Sequence, residues 1–166
     1  YVLEGGLAHE DSLGHRSVLK AGGVQIISAG TGVTHSEFNA SPSETAHLLQ
    51  MWVDTDARGL NPGYAEKSFR AVLADKKWHL VGSIDGRDGS LLIHQDVSLL
   101  VAKLGAGDAL DYKLKRGRHA WVHMAAGDIS LNDLKLTGGD GAGVNQETEL
   151  RMESTSQSDL LLFDLV

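Results

Sequence analysis

The chain has 166 residues, enough to bury a substantial core, and it contains no cysteine, which excludes disulfides and thiolate metal sites. Its net charge of −7, from 22 acidic and 15 basic residues, disfavours a phosphate backbone, and we predict no direct contact with nucleic acid. No apolar run approaches membrane-spanning length, so we expect a cytoplasmic protein without membrane association.

Alternation of apolar and polar residues with a period of two dominates the chain and predicts many short β-strands. The chain opens at Tyr1, without a methionine and directly in an apolar stretch, so we expect the N-terminus to be incomplete. Helical periodicity is weak, and only Ser68–Lys76 is a candidate for a short helix or an irregular crossover. The predicted strands are, in chain order, Val2–His9, Val24–Ser28, Val33–Phe38, Ala46–Val53, Trp78–Gly82, Leu91–Leu104, Ile129–Leu131, Leu134–Leu136, Glu149–Glu153 and Leu160–Leu165.

Turn-forming residues separate these strands, which favours a β-sandwich or a barrel. The dipeptide Asn132-Asp133 lies between two alternating strands and suits a two-residue hairpin with positive φ angles. Twenty glycines against two prolines fit the same class of fold.

A faint internal repeat indicates two related halves. The segment Val2–Gly5 followed by Val18–Gly23 resembles Met124–Gly127 followed by Leu134–Asp140. In each, a strand ends at a glycine, a hairpin follows, and the next strand ends in a glycine-rich corner. We place the boundary in Gly82–Gly89, which predicts domains over residues 1–85 and 86–166.

The strongest chemical signal is the pair His35 and Glu37, which follows a corner containing Gly30 and Gly32. At positions i and i+2 of a strand, both side chains point to one face. An imidazole and a carboxylate on one face can supply two ligands to a divalent metal. Without a third ligand, such a pair is more often hydrogen-bonded or exposed, so the spacing by itself leaves both readings open.

Four blocks in the first third of the chain carry a family resemblance: Tyr1–Gly6, His9–His15, Ala29–Glu37 and His47–Val53. In order and spacing they resemble the N-terminal cupin of the pirin family, which includes bacterial pirin-like quercetin 2,3-dioxygenases and nuclear pirin. The similarity continues through Arg87–Ser90, His94–Asp96 and Leu161–Leu165. The resemblance implies an all-β fold of two tandem cupin jelly-roll barrels (double-stranded β-helices, a bicupin), with the N-terminal barrel truncated.

The resemblance also implies a metal site. In the family a His-x-His pair on an upstream strand joins a later His and Glu, and this later pair maps onto His35 and Glu37. The first pair would lie before Tyr1, and the chain does not contain it. We expect one divalent metal, iron(II), with zinc, manganese, nickel and copper as alternatives, and weak or no binding by this short chain.

Three further residues of the His47–Val53 block are candidates for the substrate pocket: His47, Gln50 and Trp52. A buried, hydrogen-bonded histidine is the alternative for His47. His9 and His15 are interpreted as hairpin positions.

The C-terminal half offers no equivalent ligands. Aligning Gly22 with Gly139 sets His35 opposite Arg151–Glu153, which lacks a His-x-Glu pair. We therefore expect a metal-free, structural second cupin.

The implied activity of the complete protein is metal-dependent oxidation of a flavonol such as quercetin by dioxygen, with Glu37 as ligand and as the catalytic base. Two alternatives remain. One is a non-enzymatic, metal-containing regulatory pirin that binds a protein partner. The other is an inactive structural cupin whose exposed sheet edge pairs with another chain to form a homo-oligomer.

Overall fold

The computed structural model describes residues 1–166 and consists of short strands with two single turns of 3₁₀ helix, Leu73–Asp75 and Arg87–Gly89. Seven strands form the N-terminal unit: β1 Val2–Glu4, β2 Gly6–Asp11, β3 Arg16–Lys20, β4 Gly23–Ser28, β5 His35–Asn39, β6 His47–Leu48 and β7 Gly63–Ser68. Ten strands form the C-terminal unit: β8 His79–Ser83, β9 Leu91–Leu92, β10 Val97–Leu104, β11 Ala109–Lys113, β12 His119–Ala126, β13 Asp128–Leu131, β14 Leu134–Thr137, β15 Gly141–Val144, β16 Glu149–Ser154 and β17 Ser158–Leu165.

The structure contains no helix with the length and apolar character that a membrane crossing requires.

The N-terminal unit is built from three small antiparallel sheets, β1-β6, β3-β2-β5 and β4-β7. In the last of these, Gln25 pairs with Glu66 and Val24 pairs with Lys67. Paired residues lie on the same side of a sheet, so Gln25 and Glu66 face one way and Val24 and Lys67 the other. The polar face of β4-β7 meets the β3-β2-β5 sheet, and the apolar face turns toward the C-terminal unit.

The C-terminal unit packs a six-stranded sheet, β15-β12-β17-β10-β8-β9, against a four-stranded sheet, β11-β16-β13-β14. Fifteen buried residues fill the space between them. The predicted alternation in β16 is confirmed, because Leu150 and Met152 are buried and Glu149, Arg151 and Glu153 are exposed. This unit is therefore a filled barrel with an apolar interior.

A second core of ten buried residues joins the two units. Val24 and Phe69 come from the N-terminal unit, and Val81, Val101 and Leu161 from the strands β8, β10 and β17 of the facing sheet. Burial of each such side chain contributes roughly 1.5–3 kcal/mol. The outer face of β4-β7 is thus held against the C-terminal barrel, which fixes the direction in which its polar face points.

The internal repeat is confirmed at its glycines. Gly5 and Gly127 both have positive φ, +70° and +81°, as do Gly22 and Gly139, at +83° and +95°. In the first unit β2 pairs with β3 and β5, and in the second β13 pairs with β14 and β16. The same order of turn and pairing therefore occurs twice along the chain.

The predicted hairpin at Asn132-Asp133 is also present, since both residues have positive φ, +42° and +72°, between the paired strands β13 and β14. Other predicted strands were too long. Gly5 divides Val2–His9 into β1 and β2, and Ala46–Val53 retains only the two-residue strand β6. Alternation of apolar and polar residues indicates an extended chain, but it does not show where hydrogen bonding to a neighbouring strand begins and ends.

Candidate functional site

His35 and Glu37 lie on β5, which pairs with β2 so that Glu37 is opposite His9 and His35 is opposite Asp11. Directly opposed residues of an antiparallel pair project to the same side of the sheet. All four side chains consequently face the polar side of β4-β7. Glu37 is half-buried, with 17% of its side chain exposed, whereas His35 is exposed.

The side chains of His9 and Asp11 have no exposed surface, and His9 lies between Asp11 and Glu37. Its Nε2 lies 3.2 Å from Asp11 Oδ2. Its Nδ1 lies 3.9 Å from Glu37 Oε1 and is a buried atom without a hydrogen-bond partner. The imidazole stacks on the ring of Tyr64 at 4.3 Å and on that of His35 at 5.8 Å. The ring of His9 thus lies beside both His35 and Glu37, the two residues selected from the sequence.

Asp11 fixes the orientation of the His9 ring. Its carboxylate accepts hydrogen bonds from the backbone N–H groups of Leu13 and His15 and lies 2.9 Å from His15 Nδ1. Burial alone would raise the pKa of Asp11, but the bonds from His9, His15 and Leu13 outweigh it and hold this pKa well below its usual range. The carboxylate of Asp11 can accept a hydrogen bond from the Nε2–H of His9, which orients the Nδ1 edge of the ring toward Glu37.

Glu37 is held from the other side by Gln25, whose Nε2 donates to Oε1 of the carboxylate. The second oxygen, Oε2, accepts no hydrogen bond from the protein. Beneath Gln25, the Tyr64 hydroxyl lies 2.6 Å from Glu66 Oε2 and 2.8 Å from Ser17 Oγ. Burial, together with the bond to Glu66, raises the pKa of Tyr64. Polar groups therefore line the space between the β3-β2-β5 and β4-β7 sheets, and Oε2 of Glu37 has no hydrogen-bond partner there.

The ligand set for a metal is incomplete in this chain. No group of three or more His, Cys, Asp or Glu side chains is arranged to hold a metal ion. His35 and Glu37 offer an imidazole and a carboxylate on one face, and the unpartnered Nδ1 of His9 marks a polar gap beside them. These donors suit a divalent metal in type but not in number, because stable protein sites use three or more ligands.

The side chains of the three predicted pocket residues make no hydrogen bond. His47 is in β6, opposite Glu4, and its side chain is exposed. Gln50 follows in an irregular segment and is exposed, and Trp52 is 92% exposed. No hydrogen bond or ring contact joins any of the three to His35 or Glu37, and their role at the pocket stays a prediction.

Sequence reasoning missed three members of the site: His9, Gln25 and Tyr64. His9 had a usable signal, because it alternates with the apolar Leu7 on the face that β2 buries. Tyr64 had none, since β7 was not predicted as a strand. Gln25 was recognised on a strand, but only the pairing of β4 with β7 shows which face of the strand lines the cavity.

The repeat explains why the second barrel has no comparable cavity. Leu131 stands opposite Met152 in the C-terminal unit, as His9 stands opposite Glu37 in the first. By this strand pairing Leu150, two residues before Met152, corresponds to His35, a shift of two residues from the ungapped alignment of Gly22 with Gly139. All three C-terminal side chains are at most 3% exposed. Apolar groups fill the space that polar groups line in the N-terminal unit.

Two jelly-roll-like units in tandem, one with a polar cavity and one with an apolar core, define a two-domain cupin. The comparisons with known proteins specify the family. A family model described as Pirin matches residues 1–53, and one described as Quercetinase C-terminal cupin domain matches residues 80–165. The chain belongs to the pirin family.

Individual relatives agree. A quercetin 2,3-dioxygenase from Escherichia coli strain K12 is 38% identical over 165 residues, covering 99% of this chain and 70% of the relative. A pirin-like protein from Caulobacter vibrioides is 33% identical, covering 99% and 71%. A crystal structure of the bacterial pirin YhhW from Escherichia coli in complex with nickel(II) has a TM-score of 0.91 at 38% identity, covering 99% and 70%. The predicted family and tandem cupin fold are confirmed.

Proposed function

We propose that the complete protein is a metal-dependent quercetin 2,3-dioxygenase that takes a flavonol and dioxygen as substrates. The observation that carries the proposal is the carboxylate of Glu37, whose Oε2 has no hydrogen-bond partner, on the same face of β5 as His35. The printed name of the Escherichia coli relative, at 38% identity over 99% of this chain, supports the substrate class. Iron(II) is the proposed metal, with nickel as the first alternative because a related pirin was solved with nickel(II).

In this proposal Glu37 is the catalytic base. Gln25 occupies Oε1, so Oε2 is the atom that takes the proton of the flavonol hydroxyl. His35 and Glu37 also serve as ligands of the metal in this proposal. The relatives extend beyond this chain, which covers 70% of the Escherichia coli enzyme. A bound divalent metal would supply Lewis acidity to the substrate oxygen. We also propose that the pocket for the flavonol is lined by His47, Gln50 and Trp52.

The test is oxygen-dependent loss of the quercetin absorption band by the full-length protein after addition of iron(II). Glu37→Gln keeps the shape of the side chain but removes the base, and we expect the rate to fall by about 10²-fold or more. Glu10→Gln is the matched control, because Glu10 lies on the outward face of the same sheet and pairs with Arg16. Its rate should equal that of the unmodified protein.

Three outcomes would contradict the proposal in different ways. Stoichiometric metal without consumption of quercetin would favour the partner-binding alternative. Absence of metal from the full-length protein would favour a structural cupin. Full activity of Glu37→Gln would remove Glu37 from the chemistry.

A further inference from the structure

A second cavity opens at the junction of the two units, and we call it the seam pocket. Its volume is about 530 Å³, within the range of roughly 300–1,000 Å³ typical of small-molecule sites. Lys67 and Phe69 contribute one wall from the N-terminal unit, and Trp78, Arg87 and Tyr112 contribute to the others. Because Lys67 faces away from the side of β4-β7 that carries Glu66, the seam pocket is separated by that sheet from the cavity at Glu37.

The walls of the seam pocket are suited to a flat apolar group. Trp78 and Tyr112 meet edge to face, with ring centroids 6.2 Å apart and an interplanar angle of 79°. Phe69 also lines the pocket, and Leu80 and Leu100 add aliphatic surface. Aromatic and aliphatic walls of this kind favour a planar ring system, which gains both burial and edge or face contacts.

The polar groups of the pocket are mostly donors. Lys67 Nζ donates to the carbonyl oxygen of Gly89 and lies 5.1 Å from the centroid of the Phe69 ring, with no carboxylate within 4.0 Å. Arg87 donates to Ser98 Oγ at 2.8 Å. The Trp78 indole N–H is buried and has no acceptor. A buried donor without a partner is costly, and Trp78 is therefore a sensitive reporter of any change in the wall of the seam pocket.

The seam pocket holds one cation without a carboxylate partner. Lys67 has no carboxylate within 4.0 Å, whereas Arg87 is paired with Asp85 Oδ1 at 3.0 Å. A lysine without a carboxylate partner beside an aromatic wall is a suitable point for an anionic group to bind. We propose that the seam pocket binds a small planar aromatic carboxylate, with its ring between Phe69 and Trp78 and its carboxylate at Lys67. This inference does not depend on the proposed oxygenase activity.

The proposal can be tested on the 166-residue chain by NMR titration, with the three tryptophan indole N–H signals as reporters. The probe is 2-naphthoate, and its neutral analogue 2-naphthamide has the same ring and nearly the same shape. We expect a saturable shift of the Trp78 signal with 2-naphthoate and little change at Trp52 and Trp121, which lie outside the pocket. The amide should bind roughly tenfold more weakly, since it lacks the charge-assisted bond to Lys67.

Variants separate the role of Lys67 from general effects of charge. Lys67→Met should raise the Kd of 2-naphthoate roughly tenfold and leave that of 2-naphthamide unchanged, while Lys67→Arg should retain binding. Lys135→Met is the matched control, because Lys135 is an exposed strand lysine of the four-stranded sheet.

Three results would overturn the proposal. The first is the absence of a saturable shift at Trp78. The second is equal affinity for the acid and the amide, a comparison that needs no variant to fold. The third is a parallel shift of Trp52 and Trp121, which would show non-specific apolar binding.

Discussion

Each tyrosine of the chain places its hydroxyl against a carboxylate. Tyr1 lies 3.3 Å from Asp159 Oδ1, Tyr64 lies 2.6 Å from Glu66 Oε2, and Tyr112 lies 2.6 Å from Asp164 Oδ2. Burial, and then the neighbouring negative charge, raises the pKa of every one of the three hydroxyls. A protonated tyrosine is therefore part of the N-terminal site, the seam pocket and the core that joins the two units.

These shifts predict a stability that falls at alkaline pH. The folded pKa of each tyrosine lies above the unfolded value of about 10, so its contribution is complete below that pH and decreases as the pH rises beyond it. A spectrophotometric titration should show almost no tyrosinate at pH values where the denatured chain is ionised, followed by ionisation together with unfolding. Reversible ionisation of all three tyrosines near pH 10 in the folded protein would contradict this prediction.

At the scale of elements, the glycines that end β1 and β12 determine how the chain turns from one sheet to the other. Gly127 combines a φ of +81° with close packing, because a Cβ atom there would collide with the carbonyl oxygen of Gln157. Gly117 has a similar φ of +83°, but open space surrounds it. A comparison of substitutions at Gly127 and Gly117 therefore separates the cost of the backbone conformation from the cost of the steric collision.

Gly127→Ala should therefore destabilise the protein more than Gly117→Ala. The left-handed conformation costs an L-residue about 1–2 kcal/mol at either site, and the collision adds roughly 1–3 kcal/mol at Gly127 alone. Urea denaturation of the two variants measures the difference in free energy of unfolding. Equal losses would mean that the turn at Gly127 relaxes without cost.

At the scale of the whole molecule, the ten-residue core between the units couples their stabilities. Leu161 lies on β17 of the C-terminal unit, is fully buried, and packs in this shared core rather than in the interior of the barrel. Leu131 is its matched counterpart, since it is 3% exposed and packs only in the C-terminal core.

We expect Leu161→Ala to lower stability by about 2–5 kcal/mol in both units, because the cavity it creates lies at the interface of the two. Amide hydrogen exchange in β2 and β13 reports on the N-terminal and C-terminal units separately. Protection of both strands should fall together in Leu161→Ala. Loss of protection confined to β13, the result expected if the units unfold independently, would contradict the coupling, and Leu131→Ala provides the reference for a change internal to the C-terminal unit.

Much of this organisation could be read from local patterns. Alternation identified the buried face of β16, turn chemistry identified the hairpin at Asn132-Asp133, and the paired glycines Gly5 and Gly127 identified the repeat. The spacing of His35 and Glu37 determined that they share a face, because successive side chains of a strand alternate. The motif blocks determined the family.

Only the tertiary structure decided what surrounds that pair. Burial of His9 opposite Glu37, the Gln25 bond to the carboxylate and the stacking of Tyr64 all depend on which strands pair and in which register. The seam pocket likewise exists only because two distant segments meet. The physical reason is that alternation fixes side-chain direction within one strand, whereas partner and register are set by contacts between residues far apart in the chain, which a local pattern does not encode.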